Sequence, residues 1–326
     1  VTCVNYTKRD GTAVVLADNA ITLAKMAGGT DGQIITYDAS GDPVAVGPGS
    51  DGEVLTSTGA GSPPAFEAAA GGGDSRNFII DGDFEIWPEG TGARTAVNSA
   101  YGPALLGVDF SSTGSFTTEQ STDVPTIAQS GNQSRFSVLT KCTGTDASPA
   151  VGEHNSLRYY ITGQNFKPLH QQQVTISFWC KTASANNGDT YTIALFNNAA
   201  NRSYVTDFTA TSSWTKITKT ITLDTGGTWY FAPTTVGIAV CITLQAGSTY
   251  QGTADSWEGA FDLGTSGTSN FMDSTSNEFY LSQFQCVLGS SSPTFLGEPI
   301  ATVKDQVHYY VERFDFDSTA NEAIAI

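Results

Sequence analysis

The side chains here that can do chemistry are carboxylates and aromatic rings. Acidic pairs occur at Asp81/Asp83 and Asp315/Asp317, with further acids along 245–277. Two carboxylates suffice for glycoside hydrolysis when they face each other about 5–10 Å apart, a geometry that spacing along the chain does not supply. Other catalytic signatures are missing: no HExxH, GxSxG, GxxxxGKS/T or GxGxxG context occurs, and His154, His170 and His308 lie far apart. His308, beside Tyr309 in a helical stretch, is read as packed or hydrogen-bonded. The chain is therefore expected not to be an enzyme. Its aromatic rings offer a second chemistry, because flat rings stack on the faces of sugars. Trp229-Tyr230-Phe231 follows Gly226-Gly227, and Trp257 shares a long polar loop with Tyr250 and Phe261. Trp229, Tyr230, Tyr250, Trp257 and Phe261 are the expected ligand contacts, set against the alternative that these rings pack beneath their own loops. Trp179 and Trp214 fall opposite the apolar sides of their strands, so they are expected to reach a second face or a subunit contact.

Composition narrows what such rings serve. Across 326 residues, 15 Lys+Arg stand against 32 Asp+Glu, a formal charge of −17. Duplex binding draws its affinity from Lys and Arg on phosphates, so a nucleic-acid groove is excluded as the main activity. Only 14% of residues are charged, while 34 are glycine. That text, rich in Thr and aromatics and punctuated by Gly, suits strands and turns better than solvated helices. No stretch nears the roughly 20 apolar residues of a membrane-spanning helix; the longest, Val236 to Leu244, is strand-sized, and no secretory leader pattern opens the chain. Cys3, Cys142, Cys180, Cys241 and Cys286 are scattered, odd in number and without a CxxC pair, so neither a disulfide framework nor zinc is expected. Cys180 shares a strand side with Val174, Ile176 and Phe178, whereas Cys241 alternates against Ile238, Val240, Ile242 and Leu244; the two are read as separate reduced thiols.

The elements that must position these groups fall into blocks. Gly29-Thr-Asp-Gly-Gln-Ile-Ile-Thr36 recurs twenty residues later as Gly49-Ser-Asp-Gly-Glu-Val-Leu-Thr56, and Gly41 to Val46 recurs as Gly61 to Phe66. Each unit is a Gly turn, a short strand, a second turn and another short strand, too slender to bury its own apolar side, so several chains, three by preference, are expected to wind together. A Gly-rich linker is the alternative. Residues 1–28 read as an attachment segment with a short helix over Ala20 to Ala27, 29–67 as the two repeats, and 68–76 as a Gly/Ala hinge. Residues 77–314 carry about nine strands: Asn77 to Asp81, Phe84 to Trp87, Arg135 to Thr140, Leu157 to Thr162, Val174 to Lys181, Thr190 to Phe196, Trp214 to Leu223, Val236 to Leu244 and Glu278 to Val287. This pattern favours a jelly-roll β-sandwich. Thr302 and Asp305 resemble a capping box opening a short C-terminal helix. Residues 315–326 read as the start of a further segment or a C-terminal strand.

These residues also carry a resemblance. Lys25 to Val46 followed by Gly52 to Phe66 resembles the stalk repeat of tail-fibre proteins from marine bacteriophages. Asn77-Phe-Ile-Ile-Asp-Gly-Asp-Phe-Glu-Ile-Trp87, Val174-Thr-Ile-Ser-Phe-Trp-Cys-Lys181 and Val307-His-Tyr-Tyr-Val-Glu-Arg-Phe314 resemble the opening, central strand and closing helix of a phage jelly-roll module related to carbohydrate-binding modules. The resemblance covers most of 20–314 and implies an all-β virion protein: a homotrimeric stalk, docking on other tail or capsid proteins through 1–28, and a head that attaches to host-surface glycan, with neither nucleic-acid binding nor membrane insertion. It leaves open a structural adaptor or head-decoration fibre with no ligand of its own, and a glycan depolymerase. No cofactor is implied beyond structural calcium. In carbohydrate-binding relatives such calcium is held by acids of the opening motif and an Asp on a late strand; the matching residues are Asp81, Asp83 and Glu85, but Ser282 stands near the late-strand position. Calcium takes six to eight oxygens; the other reading makes Asp81-Gly82 a tight turn and Asp83 a loop cap.

Overall fold

The computed structural model describes residues 28–68, 76–96, 102–310, 312–317 and 320–324. The attachment segment and its helix, most of the hinge, and Cys3 lie outside them. The chain forms two compact units divided near residue 70. In the first, β1 (Ile34–Tyr37) pairs antiparallel with β2 (Pro43–Val46), and β3 (Glu53–Thr56) with β4 (Ala65–Ala68). Both hairpins begin with the same turn. Gly32 and Gly52 take φ of 80° and 86°, which favours glycine. Gln33 Oε1 accepts the Thr30 N–H at 2.7 Å, and twenty residues on Glu53 Oε2 accepts the Ser50 N–H at 2.6 Å. The copies then diverge: Ile35 lies opposite Ala45, but Leu55 lies opposite Phe66, because the second loop is longer. Two-stranded hairpins have one side too few, and Ile35 and Leu55 remain 56% and 44% exposed.

The second unit is a jelly-roll β-sandwich. Its strands are β5 (Arg94–Thr95), β6 (Leu106–Ser111), β7 (Ser115–Ser121), β8 (Ser137–Gly144), β9 (His154–Thr162), β10 (Gln173–Thr182), β11 (Thr190–Asn197), β12 (Ser203–Thr209), β13 (Thr215–Thr222), β14 (Val236–Ala246), β15 (Ser256–Glu258) and β16 (Glu278–Leu288). Sheet A runs in the order β13-β10-β16-β8-β7-β5, and sheet B in the order β15-β12-β11-β14-β9-β6, with antiparallel pairing throughout. Short helices α1 (Ile127–Ser130) and α2 (Gly163–Phe166) sit in connections, α3 (Ile300–Tyr310) follows the sandwich, and β17 (Glu312–Asp317) pairs with β18 (Ala320–Ile324).

Alternation explains the layers. Val174, Ile176, Phe178 and Cys180 of β10 meet Ile238, Val240, Ile242 and Leu244 of β14 in one buried core with Phe279, Leu281 and Phe284. Each such side chain contributes roughly 1.5–3 kcal/mol by leaving water. The other side of sheet B is also covered: Ala194, Phe196, Ala239 and Cys241 pack beneath Leu263, with Tyr250 and Phe261 against them. Cys180 and Cys241 thus lie on opposite sides of sheet B's inner surface, and the four described cysteines are free and buried.

Two sequence expectations are corrected. Asn77 to Asp81 and Phe84 to Trp87 are not strands but a tight coil docked along β16. Phe78 N–H donates to the Cys286 carbonyl, Phe284 N–H to the Gly82 carbonyl, and Asp81 and Phe84 take φ of 56° and 55°, which a strand cannot hold. The closing helix begins before Thr302. Its first residue is Ile300, the Val303 N–H bonds the Pro299 carbonyl, and proline's fixed φ organises that first turn.

Candidate functional site

The opening coil brings Asp81, Asp83 and Glu85 to one pocket of about 300 Å³, together with Asn132 and Arg135. Their carboxylates do not converge on a metal. Asp81 Oδ1 accepts the Glu85 N–H at 2.8 Å and Oδ2 the Ile86 N–H at 3.0 Å, so both oxygens hold the coil's turn. Glu85 is ion-paired with Arg135 at 3.1 Å. Ser282, on the late strand, is buried, and its hydroxyl donates to the Phe136 carbonyl at 3.4 Å. Among the described residues no group of acids, His or Cys forms a metal-ligand cluster, and this donor set does not fit calcium's demand for many free oxygens. Burial pushes Asp81 up to about 7 despite its two N–H donors, and pushes Asp83 up to about 6 against the Ser134 hydroxyl.

The loop aromatics divide into two groups. Trp229 and Trp257 meet edge to face at 6.0 Å. Trp229 also stacks on Phe166 at 5.1 Å and donates its indole N–H to the Gly226 carbonyl at 2.6 Å, while Trp257 donates to the Thr222 carbonyl at 2.9 Å. Both pack against the core. Tyr230 is 38% exposed beside them. Tyr250 and Phe261 sit elsewhere, over the covered side of sheet B. They contact each other at 5.8 Å and pack on His154 and Phe196 respectively. Like Trp229 and Trp257, those two rings are half-buried and packed on their neighbours, here covering the outer side of sheet B.

The strand residues that parity set apart, Trp179 and Trp214, come together on the outer face of sheet A. Three cross-strand neighbours form one row: Trp214, immediately before β13, then Lys181 of β10, then Tyr280 of β16. Lys181 Nζ lies 4.4 Å from the Tyr280 ring centre and 5.6 Å from that of Trp214. Asp123, brought over the face by the β7–β8 loop, pairs with Lys181 and accepts the Trp214 indole N–H at 2.9 Å. Partial burial raises the Asp123 carboxyl, but Lys181 and Trp214 outweigh it and hold it below its usual range. Burial and the Glu278 carboxylate, 2.9 Å from the hydroxyl, keep the Tyr280 phenol protonated well beyond its usual range. In the neighbouring row, Lys216 of β13 lies opposite Trp179, and Trp179 opposite Ser282. Trp179 is half-buried, and among the described residues its indole N–H finds no acceptor and its ring no aromatic partner. A braced row of rings and charges beside an uncommitted tryptophan can stack a flat ring and offer hydrogen bonds at its edge.

No protein-family model matches this chain, and no curated protein does. Solved structures do show likeness. A family 11 carbohydrate-binding module from Clostridium thermocellum, in complex with a β-1,3-1,4-mixed-linked tetrasaccharide, aligns at 13% identity over 63% of this chain and all of its own, with a TM-score of 0.34. A family 61 carbohydrate-binding module in complex with β-1,4-galactotriose aligns at 11% identity over 66% of this chain and 99% of its own, with a TM-score of 0.33. The enzymatically active domain of tailspike protein 4 from bacteriophage CBA120 aligns at 13% over 56% of this chain, with a TM-score of 0.30, and only 19% of that domain is covered. At these identities and TM-scores the likeness transfers neither a fold nor a ligand to this chain.

Proposed function

We propose that this chain is a bacteriophage virion fibre protein whose jelly-roll head attaches to glycan on the host surface through the outer face of sheet A. The observation that carries the reading is Trp179, a large aromatic on a rigid strand, turned away from the core and left with its N–H unspent. The hairpin unit supports the fibre part. Its repeated apolar positions, Ile34/Val54 and Ile35/Leu55, stay exposed in one chain and would be covered in a homotrimer. Residues 1–28 would then dock on other virion proteins, and several heads per fibre would add weak contacts into avidity. The test is a glycan array probed with the full chain and with Trp179→Ala. Saturable binding lost in the variant supports attachment, and an array without saturable binding refutes it.

One observation favours a second reading, an adaptor or decoration fibre without a ligand. Arg76, Asn77 and Phe78, where the sandwich begins, line the same cavity of about 390 Å³ as Asp305, Tyr309 and Tyr310, where it ends. Entry and exit lying together would let such a head be carried within a longer chain without serving as its tip.

A further inference from the structure

Strand β13 is the outermost strand of sheet A, and among the described residues no strand pairs with its free edge. Sheet B is open on the same side, because β15 pairs with β12 only at Ser203 and Tyr204, with one bridge from Val205 to Ala254. The two edges form a mouth of about 540 Å³, lined by Ile217, Thr218 and Lys219 of β13 and by Asp207, Phe208 and Thr209 of β12. Six of the eight residues of β13 are Thr or Ile, types that pair readily in sheets. An open edge of that composition is a template for another chain. Strand parity sets Ile217, Lys219 and Ile221 on the inner side, opposite Phe178, Ile176 and Val174 of the core. The two isoleucines pack there, and between them Lys219 places an ammonium where the pattern calls for an apolar side chain. Among the described residues it is ion-paired with no carboxylate, whereas Lys141 and Lys181 of the same sheet are paired with Glu119 and Asp123. The carboxylate in the mouth is spent elsewhere: Asp207 Oδ1 accepts from the Thr192 hydroxyl at 2.8 Å and Oδ2 from the Thr265 hydroxyl at 2.8 Å. Lys219 is only half-buried, so its long stem carries the charge to water through the open side.

We infer that Lys219 guards this mouth: its inward ammonium prevents a second copy of the chain from continuing sheet A beyond β13. An added strand would close the route by which that ammonium reaches water. The charge would be left desolvated with no counter-charge, and this cost outweighs the hydrogen bonds that the new ladder would gain. Lys216, on the outer side of the strand opposite Trp179, meets no such closure and is not part of the device. A second copy is the strand donor that matters most, because on the fibre proposed above the heads would meet at millimolar effective concentration. The guard itself follows from the open edge and does not depend on that reading.

Sedimentation velocity of the full chain over a range of micromolar concentrations tests this, with wild type as the reference mass. Lys219→Val should add species heavier than wild type whose share rises with concentration, a self-association about a hundredfold tighter or more, while circular dichroism keeps its strand signal. Lys219→Thr, which puts the commonest residue of β13 at the same position, should act in the same direction. Lys219→Arg and Lys219→Glu should keep the wild-type mass, since either charge resists desolvation. Hydrogen exchange locates the contact, and the amides of 215–222 should slow in the heavier species. An unchanged mass for both the Val and Thr variants overturns the inference. So does a heavier species in which these amides exchange as in wild type, or a Glu variant that associates as strongly as the Val variant.

Discussion

Replacing Asp81 with Asn should change how the stability of the sandwich depends on pH. The Asp81 carboxyl is buried and titrates near 7 in the fold, against 3.8 for an unperturbed aspartate. Between those values the folded chain keeps a proton that the unfolded chain has released. The group therefore costs no stability below the unfolded pKa, and an increasing amount as pH rises from about 4 to about 7. At about 1.4 kcal/mol per pH unit, the full cost by pH 8 is about 4 kcal/mol. Asparagine removes that titration. It also turns an NH₂ toward one of the two backbone N–H groups that Asp81 accepts, so the variant is weaker than wild type at pH 4. Urea unfolding followed by tryptophan fluorescence, on both proteins from pH 4 to 8, gives the difference in unfolding free energy. The wild-type advantage should shrink steadily as pH rises, by up to about 4 kcal/mol. His170, lowered by burial, acts with the opposite sign but is the same in both proteins and cancels; Asp83, raised by burial to about 6, loses the repulsion of the Asp81 charge in the variant, which adds to the same trend. A difference that is flat across this range, or that widens with pH, refutes the reasoning.

Further outcomes can be checked. A methyl group on Gly82 would overlap the Phe284 carbonyl oxygen against which the opening coil docks, so Gly82→Ala should cost about 3 kcal/mol or more and lower Tm by roughly 6–12 °C in a thermal melt. Asn77→Ala removes three hydrogen bonds, Nδ2 to the Phe284 carbonyl and Oδ1 from the Ile79 and Cys286 N–H groups, and should cost about 3 kcal/mol by urea unfolding. Trp179→Ala should leave Tm within a few degrees of wild type while removing glycan binding, since the ring stands outside the core. Ile35→Ser with Leu55→Ser should move the full chain from trimer mass toward monomer in sedimentation; unchanged mass would remove the stalk reading.

Much of the sandwich was legible in the sequence because one face of each sheet is buried and alternation of period two survives in the text. Val174 to Lys181 and Val236 to Leu244 show it directly, and the parity that set Trp179, Trp214 and Cys241 apart from their apolar neighbours was sufficient to place them on other faces. The opening coil was misread because Ile79, Phe84 and Trp87 are buried like strand residues, yet left-handed backbone at Asp81 and Phe84 has no signature in hydrophobicity. The β12 strand was overlooked because its polar text, Ser-Tyr-Val-Thr-Asp-Phe-Thr, is buried on both sides only once loop 247–269 covers it.

By itself the sequence determined the all-β class, the twenty-residue repeat with its paired turns, and the side of the strand on which Trp179 and Trp214 stand. These follow from local rules: backbone preference, turn chemistry and strand parity act over a few residues. Only the tertiary structure decided which rings remain open and which charges remain unpaired. Asp123 reaches Lys181 and Trp214 across a long loop, Asp207 is held by the Thr192 and Thr265 hydroxyls, and Tyr250 and Phe261 are taken up covering sheet B. Contacts between residues so distant in the chain depend on register and on which loop crosses which face, and both are set by packing the whole sandwich at once.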